Sequence, residues 1–195
     1  MAVVLNWEGP VGPGRFPDDD PLMFERLCAA GVYLRVKLYA NGRIVAYAGQ
    51  SVSLLARFDQ HLCAMLSLAA PIRDATGGVI LSGDAGARIE AFGRLAEASA
   101  LAAADAGRVR FWFALCDDYF HVEHLSLAEG LLQRRMAKRV ADFENAVSAP
   151  GRMPDEVPDI WRNDFSGLDA EGSRLLEGLL GVDPMTFDIA AGHVG

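Results

Sequence analysis

Residues 31–50, GVYLRVKLYANGRIVAYAGQ, constrain the fold of this chain more than any other stretch. Val32, Leu34, Val36 and Leu38 alternate with Tyr33, Arg35, Lys37 and Tyr39. A period of two in β-branched and aromatic residues predicts a strand. Asn41-Gly42 follows, a strong hairpin signal, and Ile44 to Ala48 form the return strand. Loop length then decides which side chains meet. A two-residue turn would pair Ala40 with Arg43 and put Tyr47 opposite Val36, on the face away from Tyr33, because side chains alternate strictly. A three-residue loop, Ala40-Asn41-Gly42, pairs Tyr39 with Arg43 and Tyr47 with Arg35. Both tyrosines then share a face, and Gly42 supplies the left-handed residue. The second form is the expectation.

Around this hairpin the pattern is mixed. Pro10, Pro13, Pro17 and Pro21 make residues 1–30 read as an irregular extension, with one short helix from about Leu22. Ser51 opens a helix to about Leu66, with Leu54, Phe58, Leu62 and Met65 as its buried stripe. Residues 67–83 read as a loop with a short strand at Val79–Leu81. An alanine-rich helix is expected over Asp84–Ala104, ended by Gly107. Val109–Leu115 alternates as a third strand. A helix follows from Ser126 to about Val147, and a last one over Leu168–Leu180. The predicted fold class is therefore α/β of the α+β kind: a small, three-stranded, mostly antiparallel sheet flanked by helices. Residues 31–147 form the domain, with a helical insertion at about 67–106 and an acidic extension over 148–195.

The chain has 195 residues, a net charge of −8 and an apolar fraction of 51%. That apolar content rules out wholesale disorder and suits a single domain. No run of 18 apolar residues occurs, so no membrane span is expected. Cys28, Cys63 and Cys116 are odd in number and far apart, and the N-terminus has no secretory pattern. Reduced thiols in a cytoplasmic protein are the simplest reading. A net negative chain argues against non-specific phosphate binding through the whole surface. The charge is uneven, however. Residues 151–195 carry nine carboxylates against three arginines, a net of −6. Residues 31–61 carry Arg35, Lys37, Arg43 and Arg57 against Asp59 alone. An anion site belongs there.

Gly31-Val32-Tyr33, Tyr47-Ala48-Gly49, Gln50-Ser51, Arg57 and His61, then Glu129 and Asn145, occur in this order. The contiguous string YAGQSVSLLARFDQH is its densest part. Over about 31–66 and 108–147 the chain resembles the GIY-YIG nuclease superfamily. It departs from that pattern at Ala48, where the family usually has a larger aliphatic residue, and in the long insertion before the third strand. The resemblance implies a metal-dependent endonuclease that hydrolyses phosphodiesters in nucleic acid, with DNA favoured over RNA. It implies that Tyr33 accepts the water's proton, Tyr47 hydrogen-bonds beside it, and Arg57 sits on the phosphate. Glu129 would hold one Mg²⁺ (or Mn²⁺), with His61 and Asn145 positioning their neighbours.

The chemistry makes demands of its own. A phenol with a pKa near ~10 is about 0.1% ionised at neutral pH, so a catalytic tyrosine needs a nearby cation. Arg57 and a metal on Glu129 are the candidates, and one carboxylate suits a hard ion that keeps several waters. Taken singly, the same residues have ordinary readings. Tyr33 and Tyr47 suit a half-buried sheet face, and Arg57 and His61 an exposed helix. Ser126-Leu-Ala-Glu129 is a capping-box pattern, in which Glu129 would bond back to its own helix. His121, Glu123 and His124 hint at a metal site with the wrong spacing for known zinc motifs. Arg134–Arg139 is a basic run on a helix. The alternative function is an inactive GIY-YIG-like module that binds nucleic acid, or a protein partner through the acidic extension.

Overall fold

The hairpin loop has the three-residue form. Tyr39 pairs with Arg43 through a backbone hydrogen bond of 3.0 Å, and the Gly42 N–H donates to the Tyr39 carbonyl at 2.9 Å. Gly42 has φ +81°, which an L side chain rarely adopts. The computed structural model describes residues 2–15, 21–145, 154, 156–188 and 193–194. In it β2 (Gly31–Leu38) pairs antiparallel with β3 (Ile44–Ser51), and Arg35 stands opposite Tyr47. Tyr33 and Tyr47 therefore lie on one face.

The mixed α and β class holds, but the sheet is not three-stranded. Along the chain lie β1 (Ala2–Val11), α1 (Pro21–Cys28), β2, β3, α2 (Leu54–Leu66), β4 (Ile72–Arg73), β5 (Val79–Leu81), α3 (Ala85–Phe92) and α4 (Leu95–Ala106). Then come β6 (Val109–Leu115), a 3₁₀ turn (Val122–His124), α5 (Leu125–Ala137), β7 (Asp142–Phe143), β8 (Ile160–Asp164), α6 (Ala170–Leu180), β9 (Met185–Asp188) and β10 (His193–Val194). The large sheet runs β10-β9-β8-β1-β6-β2-β3-β7, and β4 and β5 pair separately. The three expected strands are its middle, β6-β2-β3.

The missing strands have physical reasons. Val3, Leu5 and Trp7 alternate in β1 and are buried, but the alternation is short and runs into Gly9-Pro10. Pro10 falls in the irregularity between Glu8 and Val11, where the ladder with β6 needs no donor from it. The neighbour of β1 on the other side is β8, in parallel, and parallel pairing leaves no hairpin signal. So the sheet passes through both segments that read as extensions. Two helix boundaries also moved. The expected helix over 84–104 is two helices broken at Gly93-Arg94, where Arg94 has φ −136°. The helix expected to reach Val147 ends at Ala137. The chain then turns and adds β7 beside β3, anchored by Arg43 bidentate on Asp142 at 2.7 Å twice.

Each sheet face has its own core. Val32, Leu34, Val36, Ala46, Ala48 and Ala114 pack under α5 and α6. Tyr33, Val109, Phe111 and Phe113 pack under α2 and α4. Phe58 of α2 stacks on Phe111 with ring centroids 3.9 Å apart, which fixes the helix over the tyrosine face. Several buried polar groups on that face are paired through one carboxylate. Lys37 donates to Asp105 of α4 at 2.6 Å, and the Tyr39 hydroxyl donates to the other Asp105 oxygen at 2.9 Å. The Arg73 N–H donates to Asp105 at 3.2 Å. Asp105 is fully buried, so one carboxylate ties the inserted helices to the hairpin.

Candidate active site

Strand parity puts Tyr33, Arg35 and Tyr47 on one surface, and α2 lies across it with Arg57 and His61 four residues apart. The His61 ring meets Tyr33 and Tyr47 edge-on, with centroids 5.5 and 5.0 Å away. Tyr33 and Tyr47 stack at 6.0 Å. Tyr33 is fully buried, whereas Tyr47 is partly exposed. Gly49, opposite Tyr33 in the ladder, makes room for the ring. A Cβ there would lie 2.5 Å from the Tyr33 oxygen and 2.6 Å from Cζ. Gly49→Ala is therefore expected to displace the Tyr33 ring and cost about 1–3 kcal/mol, readable in a urea unfolding curve. An unchanged midpoint would mean the ring is not seated as described.

Hydrogen bonds run through the group. The Tyr33 oxygen is 2.6 Å from His61 Nε2, and Arg35 Nη1 donates to His61 Nδ1 at 2.9 Å. Arg35 Nη2 also bonds Glu144, whose other oxygen takes Arg73 at 3.1 Å. The Arg35 guanidinium lies 5.0 Å from the centroid of the Tyr47 ring. Burial, then the charges of Arg35 and Arg57, push His61 down to about 3. Burial pushes the Tyr33 phenol well above its usual value, with Tyr47 adding to this and Arg57 opposing it. The His61 shift has a defined sign for stability. Its folded value lies below the unfolded value of about 6.5, so the unfolded chain takes up the proton first. Stability is whole above pH 6.5 and falls as pH drops toward 3, by up to about 1.4 kcal/mol per pH unit. Replacing His61 with Gln should flatten that part of a stability-against-pH curve. The same slope in both chains would contradict the assignment.

Glu129 comes from the other side of the sheet, in the second turn of α5. The capping box does not form. The helix starts at Leu125 after His124, so Ser126 lies inside it, and Glu129 makes no hydrogen bond among the described residues. Its carboxyl is raised by burial, and Arg57 counters that shift. Arg57 thus acts electrostatically on Tyr33, His61 and Glu129 together. Asn145 lies just beyond β7 rather than at a helix end. Its side chain accepts from Ala48 N at 2.8 Å and donates to Ala48 O at 2.9 Å, continuing the β7 pairing to the residue before Gly49. It holds the strand that carries Tyr47.

Sequence reasoning placed Arg35 on the tyrosine face but gave it no role, and it missed Arg73 and Glu144. Nothing local marks Arg73, in the insertion, or Glu144, after α5.

A hard divalent ion held at Glu129 would have this one side-chain carboxylate as its protein ligand. The carboxylate offers one anionic oxygen in a site where burial alone disfavours the charge. A second group, His121, Glu123 and His124, has three ligand atoms within 4.8 Å of one another and could hold a metal. Its nitrogens are engaged, however. His124 Nδ1 accepts from the His121 N–H at 3.2 Å, leaving Nε2 to donate to the Glu156 carbonyl at 3.1 Å. His121 Nε2 donates to the Asp118 carbonyl at 2.7 Å. A metal would have to break one of these bonds, so the turn reads as self-capped. All three cysteines are free, and no helix among the described residues is long and apolar enough to cross a membrane. Comparison of the chain with protein-family models, with curated proteins and with solved structures finds no match in any of the three.

Proposed function

We propose that this chain is a metal-dependent endonuclease of the GIY-YIG type, acting on phosphodiesters of nucleic acid, DNA before RNA. The observation that carries the reading is the place of Arg57. It exerts its charge on a phenol from β2, an imidazole from its own helix and a carboxylate from α5. Arg57 and Glu129 form no ion pair within 4.0 Å. In this reading Arg57 binds the phosphate oxygens and stabilises the charge that develops on them. Glu129 holds a Mg²⁺ or Mn²⁺ ion. Bound there, the ion supplies Lewis-acid stabilisation of a phosphate oxygen. Tyr47, the less buried phenol, faces incoming water and substrate, and Tyr33 backs it from inside.

The full burial of Tyr33 favours a second reading: a module that binds nucleic acid, or a protein partner through the acidic C-terminal segment, without cleaving. Supercoiled plasmid separates the two. The nuclease should convert it to nicked circles with Mg²⁺, and Glu129→Ala should abolish the conversion. Intact plasmid with both Mg²⁺ and Mn²⁺ would leave only the binding module.

A further inference from the structure

We infer that Arg35, held by Glu144, is a positioning residue that sets the proton on His61 and so the direction of the hydrogen bond between His61 and Tyr33. The inference deepens the proposed nuclease reading and takes its functional meaning from it. A guanidinium has five donors and no acceptor. His61 Nδ1, 2.9 Å from Arg35 Nη1, must therefore be the bare nitrogen of the ring. A neutral imidazole then carries its hydrogen on Nε2, and Nε2 donates to the Tyr33 oxygen 2.6 Å away. With that lone pair taken, the Tyr33 hydroxyl hydrogen is directed away from His61. The Tyr33 ring stacks on Tyr47, with centroids 6.0 Å apart.

Without Arg35 nothing selects this order. His61 could carry its hydrogen on Nδ1, and Tyr33 would donate to Nε2. Arg35 is itself fixed from two further sides. Glu144 takes its second nitrogen, and its guanidinium lies over the Tyr47 ring. Glu144 is in turn shared with Arg73 and placed by the Glu144 N–H on the Ala46 carbonyl at 2.9 Å. The chain Glu144, Arg35, His61, Tyr33 thus has one direction. It ends at the buried Tyr33 phenol, whose ring stacks on the partly exposed Tyr47. The ring stays neutral at working pH, since burial and the two arginines disfavour its charged form.

Histidine ¹⁵N correlation spectra of the full chain read the tautomer directly. The chain has four histidines, and His61→Gln assigns the His61 signals by their loss. At pH 7 the wild-type ring is expected as the Nε2–H tautomer. Arg35→Met should shift it toward Nδ1–H or a mixture, and Arg35→Lys, which still donates, should restore it. A wild-type ring protonated on Nδ1 overturns the inference, as does a folded Arg35→Met chain with an unchanged tautomer. If Arg35→Met does not fold, Glu144→Gln carries the test, where a partial shift supports the inference and no shift overturns it. In plasmid cleavage, Arg35→Met should lower kcat roughly tenfold to a hundredfold with KM unchanged. A chain with the expected tautomer and no cleavage at all would remove the nuclease reading and leave the positioning chain standing.

Discussion

Asp105→Ala is expected to destabilise the fold by about 3–5 kcal/mol, because it leaves the Lys37 ammonium buried without a partner. Lys37 is 2% exposed and Asp105 fully buried, so neither charge has water to fall back on. Burial lowers the Lys37 pKa, and the Asp105 hydrogen bond and charge oppose that shift. The substitution also strips an acceptor from the Tyr39 hydroxyl and the Arg73 N–H. Domains of this size have a total stability of about 5–15 kcal/mol, so the loss is a large fraction of it. Denaturant unfolding of the wild-type and variant chains measures it. Replacing Lys37 and Asp105 together with apolar residues should recover much of the loss, since the cost lies in the stranded charge. A single variant within 1 kcal/mol of wild type would show that water reaches Lys37.

Arg57→Ala should behave in the opposite way. Its guanidinium makes no hydrogen bond or ion pair among the described residues, so truncation removes little that holds the fold. Yet it is the cation common to Tyr33, His61 and Glu129. Removing one preorganised donor from a charged transition state costs roughly 10²–10³ in rate. Cleavage should fall by that factor, with an unfolding midpoint close to wild type. Wild-type-like turnover would mean Arg57 does not meet the phosphate.

The two halves of the site were legible to different degrees. Residues 31–61 could be read to the level of register, because alternation and a hairpin turn leave only two parities and Gly42 favours one of them. Parity also implied that Arg35 shares the tyrosine face, although its partner did not follow from the sequence. Glu144 reaches Arg35 from 109 residues away, through a two-residue strand with no pattern of its own. Arg73 arrives from a segment that reads as loop. Glu129 stood between a cap and a ligand until the helix start was fixed at Leu125. The start was hidden because His121–His124 forms a 3₁₀ turn that caps itself. The sheet was underestimated because β1 and β8 pair in parallel across more than 150 residues, and a proline interrupts the only alternation that announced β1.

Single-turnover cleavage by Arg57→Ala, Glu129→Ala and the double variant tests most directly whether groups from opposite faces of the sheet serve one phosphate. Residues that act as a unit lose rate non-additively, so the double variant should be scarcely slower than the slower single one. Losses that multiply, as for two independent sites, would contradict a shared centre.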